Sequence, residues 1–184
     1  MRLFRSLVLY AGLCLMGNPA AADMGRLMAL AEGELGRIQF HAEPKPLALS
    51  GFLDESGNAT SLEAYRGQYV LLNFWALWCA PCVKEMPALN ALDGAVGGNF
   101  EVVTLAVGRN ARPAVDAFFA EKGLDNLPKL FDPKMTLPRE ARAPGLPVTL
   151  FIDPEGHEVA RAVGDYHWDS DAAITLVEAW VSGS

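Results

Sequence analysis

Seven consecutive residues, Tyr69–Trp75 (YVLLNFW), form a near-continuous apolar run broken only by Asn73. Such a run offers no polar face to water, so it reads as a strand covered on both sides of a sheet. Residues 101–107 (EVVTLAV) repeat the pattern. Between the two runs, residues 79–92 read as a helix closed by Gly94; after the second, Arg112–Lys122 reads as an amphipathic helix with Pro113 in its first turn. Residues 147–152 form a further strand, Asp153-Pro154-Glu155-Gly156 a turn, and His157–Val163 its hairpin partner. Residues 169–181 close the chain as a helix capped by Asp169 or Ser170. Strands that alternate with helices and finish in a hairpin predict an α/β domain with a central mixed sheet flanked by helices.

At 184 residues the chain is long enough for one such domain and too short for two. The domain is expected over residues 45–184. Ahead of it, residues 27–40 have apolar spacing near that of a helix, weakened by Gly33 and Gly36 and ended by Pro44 and Pro46. Residues 23–44 therefore read as an N-terminal helix or linker outside the main core. Residues 47–52 suggest a short strand and residues 55–58 a turn. Thr60 with Glu63 fits a capping box for one helical turn through Tyr65. Residues 1–22 resemble a leader: Arg2 and Arg5, an apolar stretch over 7–16, then Asn18-Pro19 and Ala20-Ala21-Ala22 before Asp23. The apolar run is shorter than the ~20 residues of a spanning helix. A cleaved export signal is the reading, with soluble protein in the periplasm. The alternative is an uncleaved segment tethering it to the inner membrane. Leu13 is too bulky a neighbour for Cys14 to favour a lipid-modified cysteine. The net charge of −7, with no basic run, argues against nucleic acid as a partner.

Cleavage of the leader would leave two cysteines, Cys79 and Cys82, in the phrase NFWALWCAPCVKEMPAL. A disulfide closing so short a loop restricts few unfolded conformations, so a purely structural staple gains little. A reversible redox pair is the stronger reading. Cys79 falls where a buried strand ends and a helix begins, so the free N–H groups and the helix dipole favour its thiolate. That makes Cys79 the nucleophile and Cys82, one turn inside, the thiol that resolves a mixed disulfide. Pro81 stiffens the loop where its missing N–H matters little, while Pro87 lies far enough along to kink the helix. Zinc would need a second pair of soft ligands, and none is present. A copper site built from both cysteines and one of His41, His157 or His167 stays open by count alone. Glu85 is three residues past Cys82, on the same helix face, where a part-buried carboxylate could take the resolving thiol's proton. The alternative is an ordinary solvated glutamate. Gly145-Leu146-Pro147-Val148-Thr149 places a proline at the start of a buried strand, which admits a cis or a trans X–Pro bond.

Taken together, NFWALWCAPCVKEMPAL and GLPVTLFIDPEGHEVAR resemble the thioredoxin superfamily. Within it they resemble the exported TlpA/ResA/CcmG-like group over residues 45–182, most nearly its TlpA branch. The resemblance implies a thioredoxin fold with a cis Leu146-Pro147 bond beside a redox-active Cys79–Cys82 disulfide and no other cofactor. It also implies a substrate segment held near Trp78, Pro81, Leu146 and Pro147, and Glu85 as the acid near the thiols. Asn73 stands where ordinary thioredoxin has a buried strand acid; it cannot accept a proton, which leaves that task to Glu85 or water. The group acts mainly as protein-disulfide reductants, recharged by a DsbD/CcdA-type membrane carrier. Its substrates are Sco-type copper chaperones and cytochrome oxidase subunit II, or apocytochrome c. The rival readings are a DsbA-like thiol oxidase and a non-enzymatic Cu(I) carrier. The uncharged Ala80-Pro81 pair between the cysteines favours a reductant over the oxidase.

Overall fold

The computed structural model describes residues 19–48 and 50–183. Eight strands form one mixed sheet in the order β1-β8-β7-β4-β5-β6-β2-β3. The two apolar runs become its centre: β4 (Tyr69–Trp75) lies parallel to β5 (Phe100–Val107) and antiparallel to β7 (Val148–Ile152). β8 (His157–Val163) is the hairpin partner of β7, and β1 (Gln39–Pro46) pairs with β8 at the edge. β6 (Leu130–Asp132) and the two-residue strands β2 (Phe52–Leu53) and β3 (Ala59–Thr60) complete the other edge. This is the thioredoxin fold with an N-terminal helical extension.

Strand side chains alternate between faces, so Leu71, Asn73 and Trp75 of β4 share one face while Val70, Leu72 and Phe74 share the other. The first face packs against α2 (Ala80–Val96), α5 (Asp171–Ser182) and the N-terminal segment. The second packs against Leu62 and Leu137. That alternation aims the polar Asn73 at α2.

The N-terminal segment departs from expectation. α1 (Pro19–Leu30) stops early, a 3-10 turn covers Gly33–Arg37, and Gln39–Pro46 is a strand rather than helix and linker. Leu27, Leu35 and Ile38 are buried in the main core, not outside it. Gly33 lies at φ +58°, which favours a break in the helix there. Pro44 and Pro46 are tolerated in β1 because an edge strand leaves part of its backbone unpaired. Three smaller differences follow from local chemistry. Ser61, not Thr60, caps the Leu62–Tyr65 turn, its side chain accepting from Glu63 N. α2 continues through Pro87 and Gly94 to Val96. A Cβ on Gly94 would meet Asn126 Nδ2 at 2.9 Å, so this glycine admits a close neighbour and does not end the helix. The short α4 (Thr136–Glu140) has no clear signal in the sequence; buried Asp132, upstream of its N-cap Met135, satisfies its first turn by accepting from Leu137 N. Of the expected leader, residues 1–22, residues 1–18 lie outside the described residues. No helix among the described residues is long and apolar enough to cross a membrane.

Candidate active site

β4 ends at Trp75, and the chain turns through Ala76–Trp78 before entering α2. Asn110 braces that turn: its Oδ1 accepts from Leu77 N at 2.8 Å and its Nδ2 donates to Val107 O. Cys79 is the N-cap of α2, and its Sγ accepts from Cys82 N at 3.4 Å. The helix thus begins by directing a backbone N–H at the sulfur, the geometry that favours a thiolate. Cys79 and Cys82 are disulfide-bonded with Cα atoms 5.3 Å apart. Their accessibilities differ: Cys79 keeps 6% of its surface, Cys82 none.

On the open side of Cys79 lies a groove of about 510 Å³, walled by Trp78, Ala80 and Pro81 and, opposite, by Met135, Pro138, Pro144 and Leu146. Trp78 is 61% exposed at its rim. The Leu146-Pro147 bond is cis. Leu146 lines the groove, whereas Pro147 is buried behind it and its carbonyl accepts from Gly164 N. Met135, which lines the groove, and Arg142, which does not, are both non-glycine residues in the left-handed region, at φ 54° and 52°, on either side of α4. Conformations of that kind are uncommon outside glycine and gather at functional sites.

Beneath the disulfide, Glu85 is 97% buried and not solvated. Asn73 Nδ2 donates to its Oε1 at 2.8 Å and also to Thr149 Oγ1 at 3.0 Å. The latter contact follows from register, because Asn73 and Thr149 are direct partners across β4 and β7. Tyr166 N and Trp168 Nε1 both donate to Glu85 Oε2 at 3.3 Å. Burial pushes the Glu85 carboxyl up to about 7, against the three donors, which pull it down; the nearby Asp165 charge adds to the rise. Asn73 Oδ1 has no partner among the described residues. Turning that amide over would present Oδ1 to a protonated Glu85 and to the Thr149 hydroxyl, so one side chain suits both charge states.

The three histidines do not approach the cysteines as ligands. His41 pairs with Glu158, His157 with Asp153 and His167 with Glu34. Among the described residues no cluster of three His, Cys, Asp or Glu side chains could hold a metal ion. The sequence reading named Glu85 and its neighbour Asn73 but missed Thr149, Tyr166 and Trp168, which complete the carboxylate's surroundings. Tyr166 and Trp168 are marked in sequence only by the aromatic density of DYHW ahead of the last helix, and Thr149 only by strand register.

Residues 41–162 match the family described as AhpC/TSA. The thiol-disulfide oxidoreductase ResA of Bacillus subtilis is 33% identical over 112 residues, which cover 60% of this chain and 62% of that protein. This chain therefore aligns with about three fifths of that relative's length. The crystal structure of a thiol:disulfide interchange protein DsbE from Chlorobium tepidum, so described in provisional terms, superposes with a TM-score of 0.66 at 25% identity. It covers 76% of this chain and 97% of its own. The pneumococcal exposed lipoprotein thioredoxin of Streptococcus pneumoniae strain TIGR4 gives a TM-score of 0.59 at 28% identity, over 71% of this chain and 99% of its own.

Proposed function

This chain belongs to the AhpC/TSA family, and we propose that it works as a thiol:disulfide oxidoreductase that reduces cysteine pairs in other exported proteins. The observation that carries this reading is the asymmetry of the pair: Cys79 caps a helix at the edge of an apolar groove, while Cys82 is sealed beneath it.

In the reduced protein, the Cys79 thiolate attacks one sulfur of the substrate disulfide. The substrate S–S bond breaks, a Cys79 mixed disulfide forms, and the departing substrate thiolate takes a proton from water. Cys82 then loses its proton, attacks Cys79 Sγ and releases the second substrate thiol. Two electrons have passed to the substrate and the Cys79–Cys82 bond has re-formed. Cys82 is buried from water, so its proton needs an internal acceptor. Glu85, one helical turn on and titrating near neutrality, is that acceptor. Trp78, Pro81 and Leu146 present apolar surface to an extended substrate segment, and Pro147 supports that wall from behind. A membrane dithiol carrier of the DsbD/CcdA type restores the thiols.

The resemblance to the TlpA branch extends this reading to substrates: cysteine pairs of Sco-type copper chaperones or cytochrome oxidase subunit II, ahead of apocytochrome c. Residues 1–22 serve export to the periplasm.

The test is a trap. Cys82→Ser expressed with its leader should accumulate a mixed disulfide through Cys79, and mass spectrometry of the adduct should identify a cysteine-pair protein of copper or cytochrome assembly. An absence of Cys79 adducts, or equal adducts in Cys79→Ser, would overturn the reading.

A further inference from the structure

Two of the three donors on Glu85 come from the loop between β8 and α5, and that loop is held from outside by the N-terminal segment. Arg37 Nη2 donates to Asp165 O at 3.3 Å, and its guanidinium lies 4.5 Å from the centre of the Tyr166 ring. Glu34 Oε1 accepts from His167 N at 3.0 Å and meets His167 Nδ1 at the same distance. The grip therefore covers three successive residues, 165 to 167. The middle one donates its amide to Glu85 Oε2, and Trp168, next along, donates its indole N–H. Inside the grip the Tyr166 and Trp168 rings lie tilted against each other with centres 5.3 Å apart, and Trp168 has no exposed surface.

We infer that the Gly33–Arg37 turn is a positioning device for the thiol chemistry: Glu34 and Arg37 hold the 165–168 backbone so that the Tyr166 amide and the Trp168 indole stay on the Glu85 carboxylate. Neither residue touches Glu85, and both are partly exposed, so they act through the loop. The inference rests on Glu85 being the proton acceptor, as proposed above.

The remaining groups around Glu85 fit the scheme. Asn73 approaches from β4 and is fixed by Thr149, so it cannot follow a shifting loop. Asp165 opposes ionisation and is paired with Lys84 of α2 at 3.5 Å. Tyr166 lies under Arg37, and His167 is engaged by Glu34. Loosening the loop would remove donors that favour the carboxylate, while the buried Trp168 ring still keeps water out. The carboxyl would then hold its proton to higher pH.

The full chain carrying Glu34→Ala and Arg37→Ala tests this against the parent. Expected are faster hydrogen exchange at the Tyr166 amide and Trp168 indole, by about tenfold relative to β4 amides, and a Glu85 carboxyl midpoint, read by carbon NMR, raised by about half a pH unit. The pH profile of thiol–disulfide exchange should move by the same amount. Parent-like protection at both N–H groups with an unmoved midpoint would overturn the inference. Uniformly faster exchange throughout the chain with an unmoved midpoint would also overturn it, because the turn would then only add stability. A moved midpoint with an unmoved rate profile would uphold the positioning role and refute Glu85 as the proton acceptor.

Discussion

At residue 85 burial favours the neutral acid while three donors favour the carboxylate, and the balance falls at about 7. The folded state therefore binds this proton more tightly than the unfolded chain, whose carboxyl has its ordinary value of 4.5. The associated stability is complete below about pH 4.5 and is lost as pH rises through about 7. Glu85→Gln removes the titration. Its stability relative to the parent should improve by about 3 kcal/mol between pH 4 and pH 8; urea unfolding at the two pH values measures this. The same variant should exchange disulfides at least about tenfold more slowly at pH 7, as loss of a general base requires. Stopped-flow exchange at the parent rate throughout pH 6 to 8 would remove Glu85 from the chemistry. Asn73→Leu is the companion change. It replaces the amide by an apolar side chain of the same branching and deletes the donor at 2.8 Å, so the Glu85 midpoint should move above about 7.

The first turn of α2 acts as a unit, because the N-cap sulfur, the Cys82 amide and the helix dipole are all features of one helix end. Two consequences belong to it. In reduced protein Cys79 should titrate below the ordinary thiol value of about 8.5, while buried Cys82 stays protonated through neutrality. Thiolate absorbance followed against pH, with Cys82→Ser as the single-thiol reference, checks this. Exposed Ala80 and Pro81 add no charge to stabilise the thiolate further. The couple should therefore lie nearer the thioredoxin value of about −270 mV than the DsbA value of about −120 mV. Equilibration against glutathione reads it directly, and a potential at the DsbA end would favour the oxidase reading.

Across the whole molecule, the N-terminal extension is part of the packing. β1 adds a strand beside β8, and Leu35, 2% exposed, joins the core cluster that also holds Trp168 and Met86. Leu35→Ala should cost about 3 kcal/mol, the usual scale for emptying a buried leucine site, whereas a mere linker residue would cost almost nothing. Chemical denaturation separates the two. The proposed leader is tested at the same scale: intact mass of periplasmic protein should correspond to a chain beginning near Asp23. A full-length species confined to the membrane fraction would favour the tethered form.

Much of this architecture is legible along the chain because its causes are local. YVLLNFW is a strand wherever it is buried, His157–Val163 follows a turn, and Cys79 meets a helix start because the apolar strand has just ended. Near the thiols, helical spacing and the family resemblance both mark Glu85 as a candidate. Tertiary structure decided the rest. Gln39–Pro46 has two prolines and no clear alternation, so only an available sheet edge makes it a strand. Glu85 resembles a surface residue beside Lys84 until donors 81 and 83 residues away fold over it. Its proton affinity depends on water excluded by β4, α2 and the 165–168 loop together. Burial is a property of how those segments pack, and no one of them encodes it alone.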